Sequence, residues 1–213
     1  MTTETMNVHQ ALAELKMLDK RIPSAIQETT WVIANKHSNT KIGGVDLNDC
    51  VAEVKSRWQK VNDLIKRRDA IKRAVVISNA VTKIEVAGVT YTVAEAIDRK
   101  NTGIEFLSRL MLRVGHDYTM AKNQADRENG STLETRADSY VKTMVGNTDT
   151  KGMTDEIKRM RDEFIKAQTM ELVDPIDAAK QIERLNEEIT SFNTKVDSAL
   201  SVSNAVTTIT VEY

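Results

Sequence analysis

The chain has 213 residues, of which 40% are hydrophobic, 29% charged and only 4% aromatic. This composition argues against a compact aromatic core and favours long helices that meet along narrow apolar seams. A net charge of −1 excludes the global positive field that nucleic-acid and anionic-membrane partners require. The lone Cys50 excludes an intramolecular disulfide and fits a reducing compartment. The polar first residues and the lack of a long apolar run predict neither a signal peptide nor a membrane span.

The N-terminal quarter of the sequence predicts one helix and one loop. A helix is expected at about 8–22, because apolar residues recur on one face. Pro23 should interrupt or kink this helix, since proline lacks an amide donor and clashes with the preceding turn. The segment 29–34 has strand character, and 37–46 is expected to be a loop with a turn at Gly43-Gly44.

The second helix, predicted at about 47–78 with Asp46 as its cap, carries the clearest seam. Its apolar residues alternate at spacings of four and three, which is the repeat of a coiled coil. The residues expected to pack along this seam are Val54, Trp58, Val61 and Ile65.

A strand motif appears twice. SNAVTKIEV at 78–86 and SNAVTTITV at 203–211 agree at seven of nine positions, and each follows a long helical pattern. Strands are predicted at about 80–86, 89–92 and 204–211, with a turn at Ala87-Gly88. The hairpin (about 80–92) and the C-terminal strand are expected to form one small sheet. An apolar edge strand is a pairing liability, so the C-terminal strand should pair within the chain or between subunits.

Four further helices are predicted at about 93–125, 133–145, 154–168 and 175–201. Capping boxes are expected at Thr92 with Glu95 and at Ser131 with Glu134. Asp174 should cap the last helix, with Pro175 in its first turn, and 146–152 should be a flexible connection. The residues of the second heptad seam are Leu185, Ile189, Phe192 and Val196. The predicted fold is mainly α (α+β): a single elongated helical domain of long antiparallel coiled-coil-like helices with a small β-sheet.

Three stretches carry a resemblance to a known family: DLIKRRDAIK (63–72), YTVAEAIDRK (91–100) and ITSFNTKVDSALSVSNAVTTITVEY (189–213). With the SNA-T hairpin, they are similar to a family of bacterial and phage-borne helical proteins sometimes labelled septicolysin-like. The resemblance covers most of the chain beyond residue 47 and implies long paired helices, a small β element and a closed homo-oligomer such as a hexamer. The sequence of residues 87–97, AGVTYTVAEAI, resembles phage-encoded members of this family. This resemblance implies that the protein is located in the host cytoplasm or in the virion. The chain departs from the family at 36–46 and 126–153, where nothing is carried over.

The sequence nominates no catalytic residue, metal site or cofactor. Its three histidines lie in different elements, and neither paired cysteines, a nucleophile motif nor a phosphate-cradling glycine loop occurs. A basic cluster before the hairpin has two readings, a solvated helix flank or an anion-binding pocket formed at an oligomer interface. The candidate ligand-binding residues are Arg67, Arg68, Lys72 and Arg73, with Arg127, Arg136 and Tyr140 as additions from a later loop and helix.

The sequence therefore predicts a cytoplasmic, non-enzymatic homo-oligomer that works by assembly and binding, as a phage structural or accessory component. The alternative is a phage anti-defence sponge that sequesters a nucleotide-derived immune signal in pockets between subunits. A hydrolase or transferase is a third class that no motif supports. Nucleic acid and membrane are not expected partners, because the basic patch is short and lacks interleaved aromatic residues.

Overall fold

A computed structural model describes residues 2–146 and 154–213 of the chain, which forms two compact units. The first unit is Met1–Asn101 with Ser191–Tyr213, and the second is Thr102–Thr190. The predicted mainly-α fold with small antiparallel sheets is confirmed. The helices are α1 (Val8–Gln27), α2 (Leu47–Val81), α3 (Val93–Asp98), α4 (Ile104–Asn129), α5 (Ser131–Val145), α6 (Asp155–Gln168) and α7 (Ala178–Val206).

The strands form three separate two-stranded sheets within the described residues. They are β1 (Thr3–Asn7), β2 (Lys41–Ile42), β3 (Val45–Asp46), β4 (Lys83–Val86), β5 (Val89–Thr92) and β6 (Thr208–Glu212). Antiparallel pairs join β1 to β6, β2 to β3 and β4 to β5. The expected single sheet of hairpin and C-terminal strand is therefore wrong. The C-terminal strand pairs within the chain, but its partner is a strand at the other end of the sequence.

Three expectations for the N-terminal region need correction. Helix α1 is not interrupted at Pro23 and continues to Gln27, since the loss of the one amide donor of a proline does not prevent the neighbouring hydrogen bonds from forming. Residues 29–36 are irregular rather than extended in a sheet, since no strand pairs with them in the described structure. The predicted loop at 37–46 contains the short hairpin β2–β3, and its turn has both glycines, Gly43 and Gly44, at positive φ.

The repeated SNAV segments end helices; they do not begin strands. Ser78 and Ser203 lie in the last turns of α2 and α7, and the strands begin only at Lys83 and Thr208. In both copies the next threonine closes the helix in the same way: the Thr82 amide donates to the Ser78 carbonyl and the Thr207 amide to the Ser203 carbonyl, each at 2.9 Å. The repeat is thus a helix-to-strand junction.

The duplication extends to the strand and helix that follow each junction in space. Strand β4 pairs with β5, which leads into α3, and β6 pairs with β1, which leads into α1. The Val93 amide donates to the Thr82 carbonyl and the Val8 amide to the Thr207 carbonyl, both at 2.9 Å. Below, the first set of elements (α2, β4, β5, α3) is called the α2 junction and the second (α7, β6, β1, α1) the α7 junction.

Matching residues of the two junctions are buried. Val8 and Val93 begin α1 and α3, and the alanines one turn later, Ala11 and Ala96, are fully buried. The strands contribute matched isoleucines and valines to the interior, including Val86 and Val211. The largest core cluster joins α1, α2 and the β1–β6 pair; it consists of Met6, Val8, Ala11, Leu15, Leu18, Ile22, Ile71, Val75, Ile209 and Val211.

Later helix boundaries also differ from the predicted ones. The expected helix at 93–125 is divided by a π-helical segment, Arg99–Gly103, between α3 and α4. A π-helical segment has i→i+5 hydrogen bonds in place of the i→i+4 bonds of an α-helix, so the regular apolar spacing of a single α-helix is interrupted there. Helix α5 has Gly130 as its cap position without a side-chain cap, so the Ser131–Glu134 capping box is wrong.

The last helix begins at Ala178, and not at Pro175. Asp177 has a positive φ of 57°, which is not a helical conformation. The Asp174 carboxylate nevertheless accepts the Ala178 amide at 2.8 Å, so this residue does cap the turn before the helix. The connection expected at 146–152 lies outside the described residues, apart from Gly146.

The start of α3 supplies a pH-dependent contribution to stability. Thr92 and Glu95 form the predicted capping box, and the Thr92 backbone amide, donating to the Glu95 carboxylate at 2.6 Å, lowers the pKa of this carboxyl group from its ordinary value of 4.5. A group with a lowered folded-state pKa stabilises the fold above its ordinary pKa, and this contribution disappears as the pH falls through the folded-state value.

We expect Glu95→Gln to remove this pH dependence while keeping the hydrogen bond, because Gln10 occupies the same position in the capping box of α1. Urea unfolding between about pH 3 and pH 6 would measure it: the wild type should lose more stability on acidification than the variant. Equal losses in both proteins would contradict the assignment.

Candidate functional site

Arg67, the first predicted ligand-binding residue, is occupied by partners inside the chain. Its guanidinium binds the Glu14 carboxylate of α1 in a two-pronged contact and the Glu4 carboxylate of β1 at 2.9 Å. It also lies 4.7 Å from the centre of the Tyr213 ring and bonds to the Tyr213 hydroxyl. The hydrogen bond to Glu14 is the main reason that the pKa of Arg67 is raised. Arg67 therefore ties α2 to α1, β1 and the end of β6.

Arg68 is also paired. Its Nε donates to the Asp19 carboxylate of α1 at 2.7 Å, and its Nη1 lies 3.3 Å from Asp69. These contacts raise the pKa of Arg68, with the hydrogen bond to Asp19 as the largest cause. Arg68 therefore connects α2 to α1 through Asp19, and its second contact is with Asp69 of its own helix.

Lys66 and Arg73 are exposed side chains on the same side of α2 as one groove. Both line a groove of about 520 Å³ between the side of α2 and strand β6. Its other lining residues are Asp69, Ala70, Ala74, Ile77, Thr210, Glu212 and Tyr213. Lys72 is exposed on α2 outside this set. The groove carries both signs of charge, two cations and two carboxylates, on a partly apolar floor.

The remaining predicted ligand residues belong to the second unit. The Arg136 guanidinium contacts the Glu128 carboxylate at 3.3 Å and the Gln168 side chain at 3.1 Å. Tyr140 stacks on Phe164 with ring centres 4.6 Å apart. Arg136 and Tyr140 line a shallow pocket of about 380 Å³, and the Arg127 Nε bonds to the Asn123 carbonyl of its own helix. The predicted ligand residues thus do not form one site. In the second unit, Arg136 and Tyr140 line the same pocket, and Arg127 is not among its lining residues.

The predicted seam residues of α7 are covered by the chain, whereas two of those on α2 are exposed. Leu185, Phe192 and Val196 of α7 are buried and Ile189 is partly buried. On α2, Val61 is buried and Val54 partly buried, whereas Trp58 and Ile65 are exposed. Trp58 makes an edge-to-face contact with Trp31 at 5.8 Å between ring centres. The α2 seam is therefore only partly covered by the chain itself.

Exposed apolar side chains lie at matched positions of the two junctions. Ile77 is 60% exposed and its counterpart Val202 is 61% exposed; Val81 is 69% exposed and its counterpart Val206 is 72% exposed. In each helix the two residues are four apart and share one face. We call these four residues the junction patches. Two copies of one motif therefore expose the same apolar surface.

An aromatic contact that the sequence reasoning missed joins the α2 junction to α7. The Arg99 guanidinium carbon lies 5.7 Å from the centre of the Tyr91 ring and 5.4 Å from that of Phe192, and the two rings meet edge to face at 5.9 Å. A sequence signal for the wider duplication does exist: TMNVHQAL (5–12) and TYTVAEAI (90–97) share the pattern T-x-N/T-V-x-Q/E-A-L/I. Comparing strand–helix pairs as well as helix–strand pairs would have revealed it.

Neither a metal site nor a membrane span is evident in the described ranges. No group of three or more potential metal ligands occurs in residues 2–146 and 154–213. Over the same residues, no helix combines the length and the apolar character needed to cross a bilayer. Comparison of the chain with protein-family models, with curated proteins and with solved structures finds no match.

Proposed function

We propose that this protein is a non-enzymatic assembly protein that functions as a homo-oligomer. The observation that carries the proposal is the pair of junction patches, in which matched apolar residues are exposed on both copies of one structural motif. A single exposed valine needs no explanation. The repetition of the same exposure at Ile77 and Val202, and again at Val81 and Val206, is instead typical of surfaces that another molecule covers.

The ion pairs of Arg67 and Arg68 argue against a ligand-binding role for these two side chains. Arg67 and Arg68 hold α1 against α2, so their charges serve the fold. The proposal therefore rests on the junction patches and not on these two arginines.

Native mass spectrometry and light scattering of the purified chain test the proposal. The wild type is expected to form a discrete oligomer, and the double variant Val81→Asp/Val206→Asp is expected to shift it towards the monomer, because a charge in a buried apolar contact is strongly unfavourable. Both positions are exposed within the chain, so the helical content of the subunit measured by circular dichroism should change little.

The matched control is Leu112→Asp, which places the same charge at a helix position that is exposed to a similar extent but lies in the second unit. It should leave the oligomer intact. A wild-type protein that is monomeric at micromolar concentration would overturn the proposal.

A second candidate function is the sequestration of a small anionic ligand, such as a nucleotide-derived signal. The observation that favours it is the presence of Lys66 and Arg73 in one open groove. The same native mass spectrum distinguishes this role, since a bound ligand adds its mass to each chain. Lys66→Ala would then abolish the added mass and leave the subunit number unchanged.

A further inference from the structure

Strand β6 has one hydrogen-bonded edge and one open edge. Thr2 and Tyr213 exchange two backbone hydrogen bonds, at 2.8 and 3.1 Å, and the Val8 amide donates to the Thr207 carbonyl. In an antiparallel pair, alternate residues direct both backbone groups to the partner strand. Thr208, Thr210 and Glu212 therefore direct their amides and carbonyls away from β1. In the described structure no backbone or side-chain group bonds to these three residues on that side.

The groove described above runs along this open edge. Thr210 and Glu212 form its strand side, and one face of α2 forms its helix side. On that face Ala70, Ala74 and Ile77 follow at helical spacing, and Val81 of the junction patch continues the row. Small residues allow another backbone to approach closely, and open strand groups bond to a strand that does so. The groove thus has the form of a site that accepts an added strand.

We propose that β6 of a second copy of this chain occupies the groove, pairing antiparallel with β6 across a two-fold axis. This inference rests on the proposed function and specifies one of its interfaces. An antiparallel strand edge is its own complement, so a single surface forms both sides of the contact. The result is a four-stranded sheet, β1–β6–β6–β1, in place of two isolated ribbons, which are only marginally stable in water.

The position of each β6 residue along the axis of α2, called its level below, follows from side-chain contacts in the structure. Arg67 lies against Tyr213, and α1 runs antiparallel to α2, since Glu14 contacts Arg67 and Thr29 contacts Arg57. Val8 and its partner Thr207 therefore lie towards the C-terminal end of α2. Two strand residues rise about 7 Å, as do four to five helix residues, so Val211 is level with Ile71. Both residues belong to the same core cluster.

The charges on α2 select the register. With the two-fold axis at Val211, Asp69 faces Arg73 of the partner subunit, and Thr210 lies opposite Glu212 of the partner subunit. With the axis at Thr210, the axis moves along α2 from the level of Ile71 by two to three helix residues, to the level of Arg73. Arg73 then faces Arg73 of the partner subunit. With the axis at Glu212, two glutamates lie directly opposite each other. Like charges in direct opposition are unfavourable, so the Val211 register is the one proposed.

The observed pairing state of these charges agrees with this choice. Among the described residues Arg73 forms no ion pair, although its neighbours Arg67 and Arg68 are both engaged. Asp69 has one ion pair, the 3.3 Å contact with Arg68 of its own helix, and a carboxylate can accept a second cation. A strand from an unrelated protein would bond to the same edge, but it would make no use of the Asp69–Arg73 arrangement. Self-complementarity therefore favours a second copy as the occupant.

Cysteine cross-linking tests the strand register directly. Two tagged chains, one Thr210→Cys and one Glu212→Cys, are co-expressed in a Cys50→Ser background and oxidised. Opposed residues of a hydrogen-bonded antiparallel pair have Cα atoms about 5.5 Å apart, within the range of about 4.4–6.8 Å that a disulfide spans. We expect a cross-linked dimer that contains one chain of each kind, whereas Thr210→Cys alone should not cross-link. Cross-linking of Thr210→Cys with itself would overturn the proposed register.

Charge exchange provides a second, independent measurement. Arg73→Asp should weaken self-association by about tenfold or more, because Asp69 then faces an aspartate. The double variant Asp69→Arg/Arg73→Asp should restore it. If the single variant weakens association but the double variant does not restore it, the charge pairing is wrong.

Failure of this inference is distinguishable from failure of the proposed function. A wild-type oligomer that forms no mixed cross-link overturns the β6 pairing and leaves the assembly role in place. A wild-type monomer overturns both.

Discussion

Replacing Phe192 by alanine is expected to lower the free energy of unfolding by about 3–5 kcal/mol. The side chain is only 2% exposed, and it meets the Tyr91 ring edge to face while the Arg99 guanidinium lies over its ring. Truncation leaves a cavity at a buried position, and it also removes one of the two aromatic rings that lie beside Arg99. Urea unfolding followed by circular dichroism measures the loss.

Phe106→Ala is the matched control for this experiment. Phe106 is also on a helix but is 62% exposed, so the same truncation should cost less than about 0.5 kcal/mol. A similar loss in both variants would contradict the packing role assigned to Phe192 between α7 and the α2 junction.

Arg67→Ala is expected to cost about 1–3 kcal/mol, because it leaves two partly buried carboxylates without their cation. Glu14 and Glu4 would then lie close together without a positive charge between them, and the Tyr213 ring would lose its contact. Lysine should not replace arginine fully, since an ammonium group cannot bind Glu14 with two prongs and reach Glu4 at once.

The control is Arg113→Ala, which removes an arginine that pairs with Asp117 four residues later on a strongly exposed surface. Exposed pairs of this kind contribute about 0–1 kcal/mol, so this loss should be small. If Arg67→Ala instead leaves the stability unchanged and abolishes binding of an anionic ligand, the sequence-based ligand hypothesis for this residue would be restored.

Local signals in the sequence predicted the starts of α2 and α3 and the turn at Ala87-Gly88 correctly. Asp46 caps α2, Thr92 and Glu95 form the capping box of α3, and Gly88 follows Ala87 in a turn with both residues at positive φ. These features depend on hydrogen bonds and backbone preferences within about four residues, so neighbouring residues are sufficient to specify them. Local signals failed where a distant partner was needed, as in the segment 29–34, with which no strand of the described residues pairs.

The ligand hypothesis shows the same limit. Sequence spacing brought Arg67, Arg68 and Arg73 together as one basic cluster, since all three lie within seven residues. The structure divides them: Arg67 and Arg68 face the acidic residues of α1, and Arg73 faces the groove beside β6. The carboxylates that separate them, Glu14 and Asp19, lie about fifty residues earlier in the chain, so helical periodicity alone contained no information about this pairing.

The sequence by itself determined the helical class, the caps of α2 and α3 and the duplication of the SNAV-T-x-I-x-V segment, because these follow from composition and short-range patterns. The tertiary structure alone decided that β6 pairs with β1, and not with the hairpin, and that each SNAV segment ends a helix. It also decided which apolar residues of the repeat are covered and which form the junction patches. The physical reason is that strand pairing and burial join residues that are far apart in the chain, and such contacts depend on how the helices fold back on one another.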